Sequence, residues 1–372
     1  MKQAVIAGYI RSPFHFANKG ALARTRPDDL AAAVVKGLID KTRVDMKDVE
    51  DLLLGCAFPE GEQGLNVARL ISFIAGLPQS VGAATMNRFC GSSMQSIHSA
   101  AGAIALGAGE VFICAGIESM SRVPMMGFNP MPNPALAERM PAAYVSMGIT
   151  AENVAKKYSI GRQEQEEFSV ASHLKAATAR QAGKFRDEIV GDGEDGCIRV
   201  DASLQALASL KPAFDQAGVV TAGTSSPLTD GAAACLVVSA DYAKAHGLPV
   251  LAKVKSVAIA GCTPELMGIG PVVATRKALQ RAGLSMGDID IIELNEAFAS
   301  QAIACIRDLE IDMAKVNIDG GALALGHPLG ATGARITGKA AALLKREGKQ
   351  FALATQCIGG GQGIATILEA AS

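Results

Sequence analysis

Strand-like and helix-like stretches alternate along this chain, and one short pattern occurs twice. Residues 48–54 (DVEDLLL) resemble residues 288–294 (DIDIIEL), and a helical stretch precedes each of them. Alternating strands and helices favour an α/β fold, in which helices cover a sheet. In each half a later strand-like run leads to a cysteine, Cys90 in the first and Cys357 in the second. The sequence therefore predicts an α/β fold with two similar halves.

The length of 372 residues suggests about two domains. A different kind of sequence separates the halves: a Met- and Pro-rich loop over residues 124–134, followed by a polar, helix-rich stretch over residues 151–182. We expect three parts: residues 1–118 with about 226–250 as the N-terminal half, residues 119–225 as an inserted loop domain, and residues 251–372 as the C-terminal half.

Cys90 lies where a strand-like run, residues 81–89, turns into a helical one. The apolar residues at helical spacing after it are Met94, Ile97, Ala101, Ile104 and Ala105. Backbone N–H groups at the start of a helix favour a thiolate, and the small residues 91–93 leave room for a substrate. A buried, inert thiol is the usual state of a free cysteine. Two further segments make a nucleophile the better interpretation.

The first of these segments places His327 between Gly326 and Pro328, a frame that holds an imidazole still and permits close approach. Such a histidine could help to form a thiolate or donate to an oxyanion. The second places Cys357 after a probable strand, residues 351–355, and before three glycines whose N–H groups could form an oxyanion hole. Each segment alone would be interpreted as structural. Together they supply an activator and a proton carrier.

Composition excludes several other classes of function. The chain has no Trp, only 4% aromatic residues and a net charge of −1, which gives no support for nucleic-acid binding. Its eight cysteines form no CxxC pair, which argues against a zinc or thioredoxin-like site. Free thiols would suit a reducing compartment, so we expect a cytoplasmic protein.

No segment of the sequence indicates a membrane or nucleotide site. The apolar residues 4–10 predict a first strand rather than a signal peptide, and no apolar run approaches the ~18 residues needed to span a bilayer. Residues 333–340 (GARITGKA) nearly fit a phosphate-binding P-loop, but Ala340 lacks the hydroxyl that holds Mg²⁺.

Nearly the whole chain resembles the thiolase family. The matching motifs, in the same order as in the family, are RSPF at 11–14, VTAGTSS at 220–226, DGAAA at 230–234, NEAF at 295–298 and GGALALGHPLG at 320–330. The resemblance implies duplicated α/β halves with the loop domain covering a coenzyme A (CoA) site. It also implies acyl transfer between Cys90 and CoA, with CoA as co-substrate and no bound cofactor or metal.

The resemblance implies a role for each matching residue. Cys90 would be the acyl-accepting nucleophile and His327 its activator. Cys357 would protonate the departing acetyl-CoA enolate and then deprotonate the incoming CoA. Asn295 would hold a water that forms one oxyanion hole with His327, and the N–H groups of Cys90 and Gly359 would form the second. The residues expected along the pantetheine arm of CoA are Ser226, Met147, Phe214 and Met267.

Three positions depart from the family pattern. Asp319 stands where many members have Asn, and Pro227 stands where Gly or Ala is common. Ser146 precedes Met147 where short-chain biosynthetic thiolases usually have His, which weakens an assignment to acetoacetyl-CoA synthesis. Residues 90–95 (CGSSMQ) look more like the degradative 3-ketoacyl-CoA thiolases of fatty-acid β-oxidation.

The alternatives are an acetoacetyl-CoA thiolase and a non-catalytic acyl-CoA or lipid carrier. A β-ketoacyl synthase shares the architecture but would have a second histidine in place of Asn295. The expected partners are CoA and acyl-CoA, a second copy of the chain in a homodimer or homotetramer, and in some degradative relatives a hydratase/dehydrogenase. No nucleic acid and no membrane span are expected.

Overall fold

Ten strands pair into a mixed sheet in the computed structural model, which describes residues 2–371. The strands are β1 (Ala4–Arg11), β2 (His15–Phe16), β3 (Asp51–Gly55), β4 (Gly82–Met86), β5 (Val111–Ser119), β6 (Thr229–Ser239), β7 (Ala252–Gly261), β8 (Ile291–Leu294), β9 (Phe351–Ile358) and β10 (Gln362–Ala370). Their order across the sheet is β4-β3-β5-β6-β1-β7-β10-β9-β8, and β2 pairs with β6. The predicted α/β fold is confirmed.

The helices fall into a group that covers the sheet and a group between the halves. The covering helices are α1 (Pro27–Thr42), α2 (Val67–Ile74), α3 (Ser92–Leu106), α8 (Ala240–Ala245), α9 (Gly270–Ala282), α10 (Ala299–Asp308), α11 (Ala322–Leu325) and α12 (Leu329–Glu347). The intervening helices are α4 (Pro134–Arg139), α5 (Met147–Lys157), α6 (Arg162–Gln181) and α7 (Leu204–Ala208). No helix within residues 2–371 is long and apolar enough to cross a membrane.

The two halves meet through the antiparallel pairing of β1 with β7. On one side β3 runs parallel to β4 and β5, and on the other β8 runs parallel to β9. The two similar segments of the sequence become β3 and β8, which are preceded by α1 and α9. Because parallel strands end at one edge of a sheet, residues that follow β3, β4 and β5 lie close together there.

The strands that lead to Cys90 and Cys357 do not occupy equivalent places in the two halves. Cys90 follows β4, whereas Cys357 lies within β9, whose place beside β8 matches that of β5 beside β3. In the C-terminal half the place of β4 is taken by a single parallel bridge between Ile292 and Val316. The C-terminal half therefore has a single bridge where the N-terminal half has a strand. The order of strands along the sequence consequently does not align the two cysteines.

Helix α12 lies at the centre of the molecule. It packs against α3 and against strands of both halves, including β1, β5, β6, β8 and β9. Fourteen of its residues are buried, among them the glycines and alanines of residues 330–341. These small side chains let the helix lie close to the sheet, since a Cβ on Gly338 would fall 2.2 Å from the Tyr9 ring.

A buried network of charges joins residues 119–225 to the rest of the fold. Arg11, at the end of β1, donates to Asp195 at 2.6 and 2.8 Å and to Glu188 at 3.0 Å. Lys339 on α12 lies 2.8 Å from Glu188 and 2.9 Å from Asp319. Buried charges are stabilising only when paired and hydrogen-bonded, and here each carboxylate has a cationic partner.

Asp319 has three cationic partners in this network. Besides Lys339, its carboxylate accepts hydrogen bonds from Lys184 and from both terminal nitrogens of Arg346. Burial alone would raise the pKa of this carboxyl, but the hydrogen bonds and charges of Arg346 and Lys339 lower it to about 2. The aspartate that departs from the family's asparagine is thus held as an anion.

We expect Asp319→Asn to flatten the acid dependence of stability. Because the folded pKa is depressed, the carboxylate stabilises the fold above its unfolded pKa of about 3.9, and this contribution is lost as the pH falls toward 2. The contribution amounts to about 2 kcal/mol at neutral pH. Urea unfolding at several pH values between 2 and 6 measures it. Asp312→Asn, at an exposed position where Asn caps a helical turn equally well, is the control; equal acid slopes in wild type and Asp319→Asn would contradict the prediction.

Candidate active site

Cys90 is presented by a tight turn between β4 and α3. Phe89, directly before it, has a φ of +41°, in the left-handed region that non-glycine residues seldom adopt. The Ser92 hydroxyl holds this turn, because it accepts from the Arg88 N–H at 2.9 Å and donates to the Phe89 carbonyl at 2.6 Å. The strand-to-helix transition expected from the sequence is confirmed at this point.

The Cys90 thiol is buried, with 8% of the residue exposed. Burial raises its pKa to about 11, although backbone N–H groups of Gly359 and of Cys90 itself act in the opposite direction. The N–H groups favour a thiolate, as expected at the start of a helix, but loss of solvation outweighs them and raises the net pKa in the free protein. The same two N–H groups were expected to form an oxyanion hole, and both contact this sulfur.

The second cysteine lies beside the first. Cys357 belongs to β9, and the preceding Gln356 donates its side-chain amide to the Cys90 carbonyl. Burial raises the pKa of the Cys357 thiol well above its ordinary value, and the nearby Cys90 raises it further. The structure thus brings Cys90 together with Cys357 and Gly359, which lie far from it in the sequence.

His327 is held by a backbone hydrogen bond and a side-chain hydrogen bond. Its N–H donates to the Thr229 hydroxyl at 3.1 Å, and its Nδ1 lies 2.6 Å from the Thr332 hydroxyl. Thr332 gives its own hydrogen to the Pro328 carbonyl at 3.0 Å, so its oxygen must accept from His327 Nδ1–H. Gly326, with a φ of +100°, permits the turn that carries the imidazole inward.

The remaining ring nitrogen of His327 can act as a base. With the hydrogen on Nδ1, Nε2 carries a lone pair, and the Asn295 amide nitrogen lies 3.3 Å from it. Burial, followed by the charge of Arg335, lowers the imidazole pKa to about 3. A lone imidazolium is therefore unfavourable, and proton uptake requires a negative charge that forms in the same step.

Asn295 follows β8, and its N–H donates to the Thr355 carbonyl of β9 at 3.0 Å. The next residue, Glu296, accepts from Ser172 and Asn317 at 2.6 Å each, and from the Leu323 N–H at 3.2 Å. These bonds join α6, α11 and the segment after β8. Asn295 is therefore held in place by the strand on one side and by the anchored glutamate on the other.

Three of the four residues expected along CoA surround Cys357 and its neighbours. Met147 and Met267 pack in one apolar cluster with Cys357 and Phe298. Phe214, 42% exposed, stacks edge-on against Phe298 with ring centroids 5.9 Å apart. The fourth residue, Ser226, joins the same region through its N–H, which donates to the Ala297 carbonyl at 2.9 Å.

Two contributors to the site were missed by sequence reasoning. Thr332 fixes the tautomer of His327, and its position in the first turn of the following helix was the available signal. Gln356 holds the Cys90 carbonyl, and only the fold shows this contact, because the two residues lie far apart in sequence. Of the departures from the family, Ser146 caps the start of α5, and the carbonyl of Pro227 accepts from Thr229 at 2.6 Å.

Residues 4–241 match the family model described as the thiolase N-terminal domain, and residues 248–370 match the thiolase C-terminal domain. The chain is 49% identical to the 3-ketoacyl-CoA thiolase of Bacillus subtilis, across 99% of this chain and 100% of that protein. It is 47% identical to the 3-ketoacyl-CoA thiolase of Shewanella loihica, across 100% of both.

Solved structures are similar over the same length. Human mitochondrial 3-ketoacyl-CoA thiolase in complex with CoA superposes with a TM-score of 0.92 at 35% identity, covering 100% of this chain and 98% of that one. The acetyl-CoA acetyltransferase of Bacillus anthracis gives the same TM-score of 0.92 at 38% identity, covering 100% of this chain and 99% of that one. The architecture is thus shared by proteins whose names specify different substrates.

Thr332→Val should slow alkylation of Cys90 by iodoacetamide at neutral pH by roughly tenfold, because His327 Nε2 would no longer be held as the proton acceptor. The rate is measured by mass spectrometry of the peptide that contains Cys90. Thr337→Val is the matched control, since Thr337 on the same helix makes the same kind of bond to a carbonyl, Gly333 at 2.7 Å, and has no histidine partner. Equal slowing in both variants would refute the assigned role of Thr332.

Proposed function

The chain belongs to the thiolase family, and we propose that it cleaves 3-ketoacyl-CoA with CoA to give acetyl-CoA and a shortened acyl-CoA, as in fatty-acid β-oxidation. The observation that supports this most directly is the convergence of Cys90, Cys357 and the Gly359 N–H, with His327 paired to Asn295. The names of the full-length relatives favour 3-ketoacyl-CoA over acetoacetyl-CoA as substrate.

In the first half-reaction the Cys90 sulfur attacks the ketone carbon of the substrate while His327 Nε2 takes the thiol proton. The bond between that carbon and the neighbouring α-carbon then breaks. Its electron pair moves into the thioester as the enolate of acetyl-CoA, which takes a proton from Cys357. The products of this half-reaction are acetyl-CoA and an acyl group bound as a thioester to Cys90.

In the second half-reaction Cys357, now a thiolate, takes the proton of the incoming CoA thiol. The CoA sulfur attacks the acyl thioester, and Cys90 leaves with the proton that His327 had accepted. Both half-reactions place negative charge on a carbonyl oxygen, and an N–H donor such as Gly359 contributes roughly 3 kcal/mol to stabilising it. Before substrate binds, Cys90 and His327 both stay neutral, because burial disfavours a charge on either side chain alone.

Two of the residues expected along CoA, Met147 and Phe214, belong to residues 119–225. Met147 packs against the apolar cluster that contains Cys357 and Phe298, and the Phe214 ring lies edge-on to Phe298. These contacts support the role of residues 119–225 as the loop domain that covers CoA.

We also propose a homo-oligomer built on a dimer. Strand β4 lies at the outer edge of the sheet, and α2 beside it exposes Leu70, Phe73 and Ile74. An exposed strand edge next to an apolar helix face is suited to pairing with a second copy. The eight cysteines are free thiols, which suits a cytoplasmic protein. A hydratase/dehydrogenase partner, which would supply the ketone substrate, stays a prediction.

Thiolysis should depend on Cys90 and extend to long acyl chains. Turnover of acetoacetyl-CoA and of a long-chain 3-ketoacyl-CoA is followed by loss of the ketothioester absorbance. Cys90→Ala should reduce both rates by at least about a thousandfold, because the covalent route is removed. Cys114→Ala, at a buried thiol in β5, is the control and should stay within about threefold of wild type. Activity on acetoacetyl-CoA alone would assign the short-chain reaction, and no Cys90-dependent turnover would favour a carrier.

Phe73→Glu should dissociate the dimer, because it places a charge in the apolar face of α2. Light scattering coupled to size exclusion measures the mass. Leu106→Glu, at a position 86% exposed at the end of α3, introduces the same charge away from β4 and should leave the mass unchanged. A monomeric wild type, or a Phe73→Glu variant that keeps the wild-type mass, would contradict the proposed interface.

A further inference from the structure

Glu118 is a buried carboxylate that the reaction described above does not use. It is the penultimate residue of β5 and is fully shielded from solvent. Because β3, β4 and β5 are parallel, its strand ends at the same edge as the turn that carries Cys90. Within residues 2–371, no Lys or Arg forms an ion pair with it.

Four N–H donors take the place of a cation. Oε2 accepts from the backbone of Ala57 at 2.8 Å and of Gly330 at 2.9 Å. Oε1 accepts from the backbone of Phe58 at 3.2 Å and from the Gln63 side chain at 2.9 Å. An ionised carboxylate accepts only, so it fits a ring of donors that neither an amide nor a protonated acid would match.

The N–H donors to Glu118 lie on two segments of the catalytic site, one next to His327 and the other next to the turn that carries Cys90. Gly330 lies in the first turn of α12, three residues after His327, and Pro328 at the N-cap supplies no side-chain cap. Glu118 therefore acts as the missing cap, with its negative charge at the positive end of the helix. On the other side, the Phe58 ring packs 5.9 Å from the ring of Phe89, which precedes Cys90.

The charge of Glu118 also reaches the nucleophile. Burial is the main cause of the raised Cys90 pKa, and the negative charge of Glu118 adds to it. The other titratable groups that face Cys90 from packed elements are Cys357 on β9 and His327 before α12, and Arg88 belongs to its own turn. Glu118 thus both holds the site and opposes a free thiolate before substrate arrives.

We propose that Glu118 is a positioning residue: its carboxylate fixes the start of α12, and with it His327, relative to the turn that carries Cys90. It acts through backbone N–H groups and touches no reacting atom. The expected effect of Glu118 on turnover rests on the proposed thiolysis of 3-ketoacyl-CoA. The rate of Cys90 alkylation at neutral pH, which depends on His327 as proton acceptor, tests the positioning role without any substrate.

Glu118→Gln keeps the shape of the side chain but turns one acceptor into a donor that faces N–H groups. We expect kcat for thiolysis to fall at least about tenfold while KM changes less than about threefold, because the imidazole is misplaced rather than the CoA site. The pH midpoint of Cys90 alkylation by iodoacetamide should move down by roughly half a unit, since a negative charge near the thiol is removed.

Glu118→Asp distinguishes the effect of the side chain's length from the effect of its negative charge. The carboxylate stays ionised but is withdrawn by one carbon, so kcat should fall while the alkylation midpoint stays at the wild-type value. Glu188→Gln is the matched control: Glu188 is also a buried glutamate, but it is bonded to Arg11 and Lys339, away from the site. Glu188→Gln should lower the melting temperature. It should leave kcat within about threefold of wild type and the alkylation midpoint within a few tenths of a pH unit.

The proposal is overturned if folded Glu118→Gln keeps kcat within threefold of wild type, or if KM rises in step with the loss, or if the alkylation midpoint does not move. Should Glu118→Gln fail to fold, kcat of Glu118→Asp decides, and a wild-type value overturns the proposal. If the wild type cleaves no 3-ketoacyl-CoA but Glu118→Asp slows Cys90 alkylation at neutral pH, the proposed function fails and the positioning role stands; an unchanged rate overturns both.

Discussion

The contact between the first turn of α3 and the second turn of α12 determines where the chemistry takes place. A Cβ on Gly333 would lie 2.2 Å from the Met94 nitrogen, so only glycine lets the two helices approach this closely. The Ala334 N–H then donates to the Ser93 hydroxyl at 2.8 Å. Cys90 lies two residues before the start of α3, and His327 lies two residues before the start of α12. A packing constraint in the core of the sheet and helices thereby fixes the relation between nucleophile and base, which are supplied by opposite halves of the chain.

Burial gives these groups a particular resting state. Loss of solvation raises the pKa of Cys90 to about 11 and lowers that of His327 to about 3, so neither carries a charge alone. Proton transfer between them creates both charges together, and the attack on a carbonyl then moves the negative charge onto an oxygen. A neutral thiol is also a poor target for oxidants and electrophiles, because the thiolate is the reactive form. Reactivity is thus coupled to arrival of the substrate rather than present in the free protein.

The sequence predicts much of the fold and less of the site's electrostatics. The repeated pattern at residues 48–54 and 288–294 locates β3 and β8, because buried parallel strands need continuous apolar runs. It does not show that Cys90 and Cys357 follow non-equivalent strands, because the bridge at Val316, in the place of β4, leaves no periodic signal. The raised pKa of Cys90 is not predicted from the sequence, since the effect of burial depends on the whole fold. Contacts such as Gln356 with Cys90 join distant residues and have no local signature.

The departure at Asp319 shows how charge supports the same geometry. Asp319 begins the glycine-rich segment that leads to His327, and its neighbour Gly320 adopts a φ of +89° against Ala176 of α6. A segment with few side chains has little apolar area with which to hold itself in place. Lys184, just after α6, lies 3.4 Å from Asp319 Oδ1, and Lys339 of α12 lies 2.9 Å from Asp319 Oδ2. The Asp319 carboxylate therefore anchors the glycine-rich segment before His327 through its ion pairs. It also links residues 119–225, through Lys184, to α12, through Lys339.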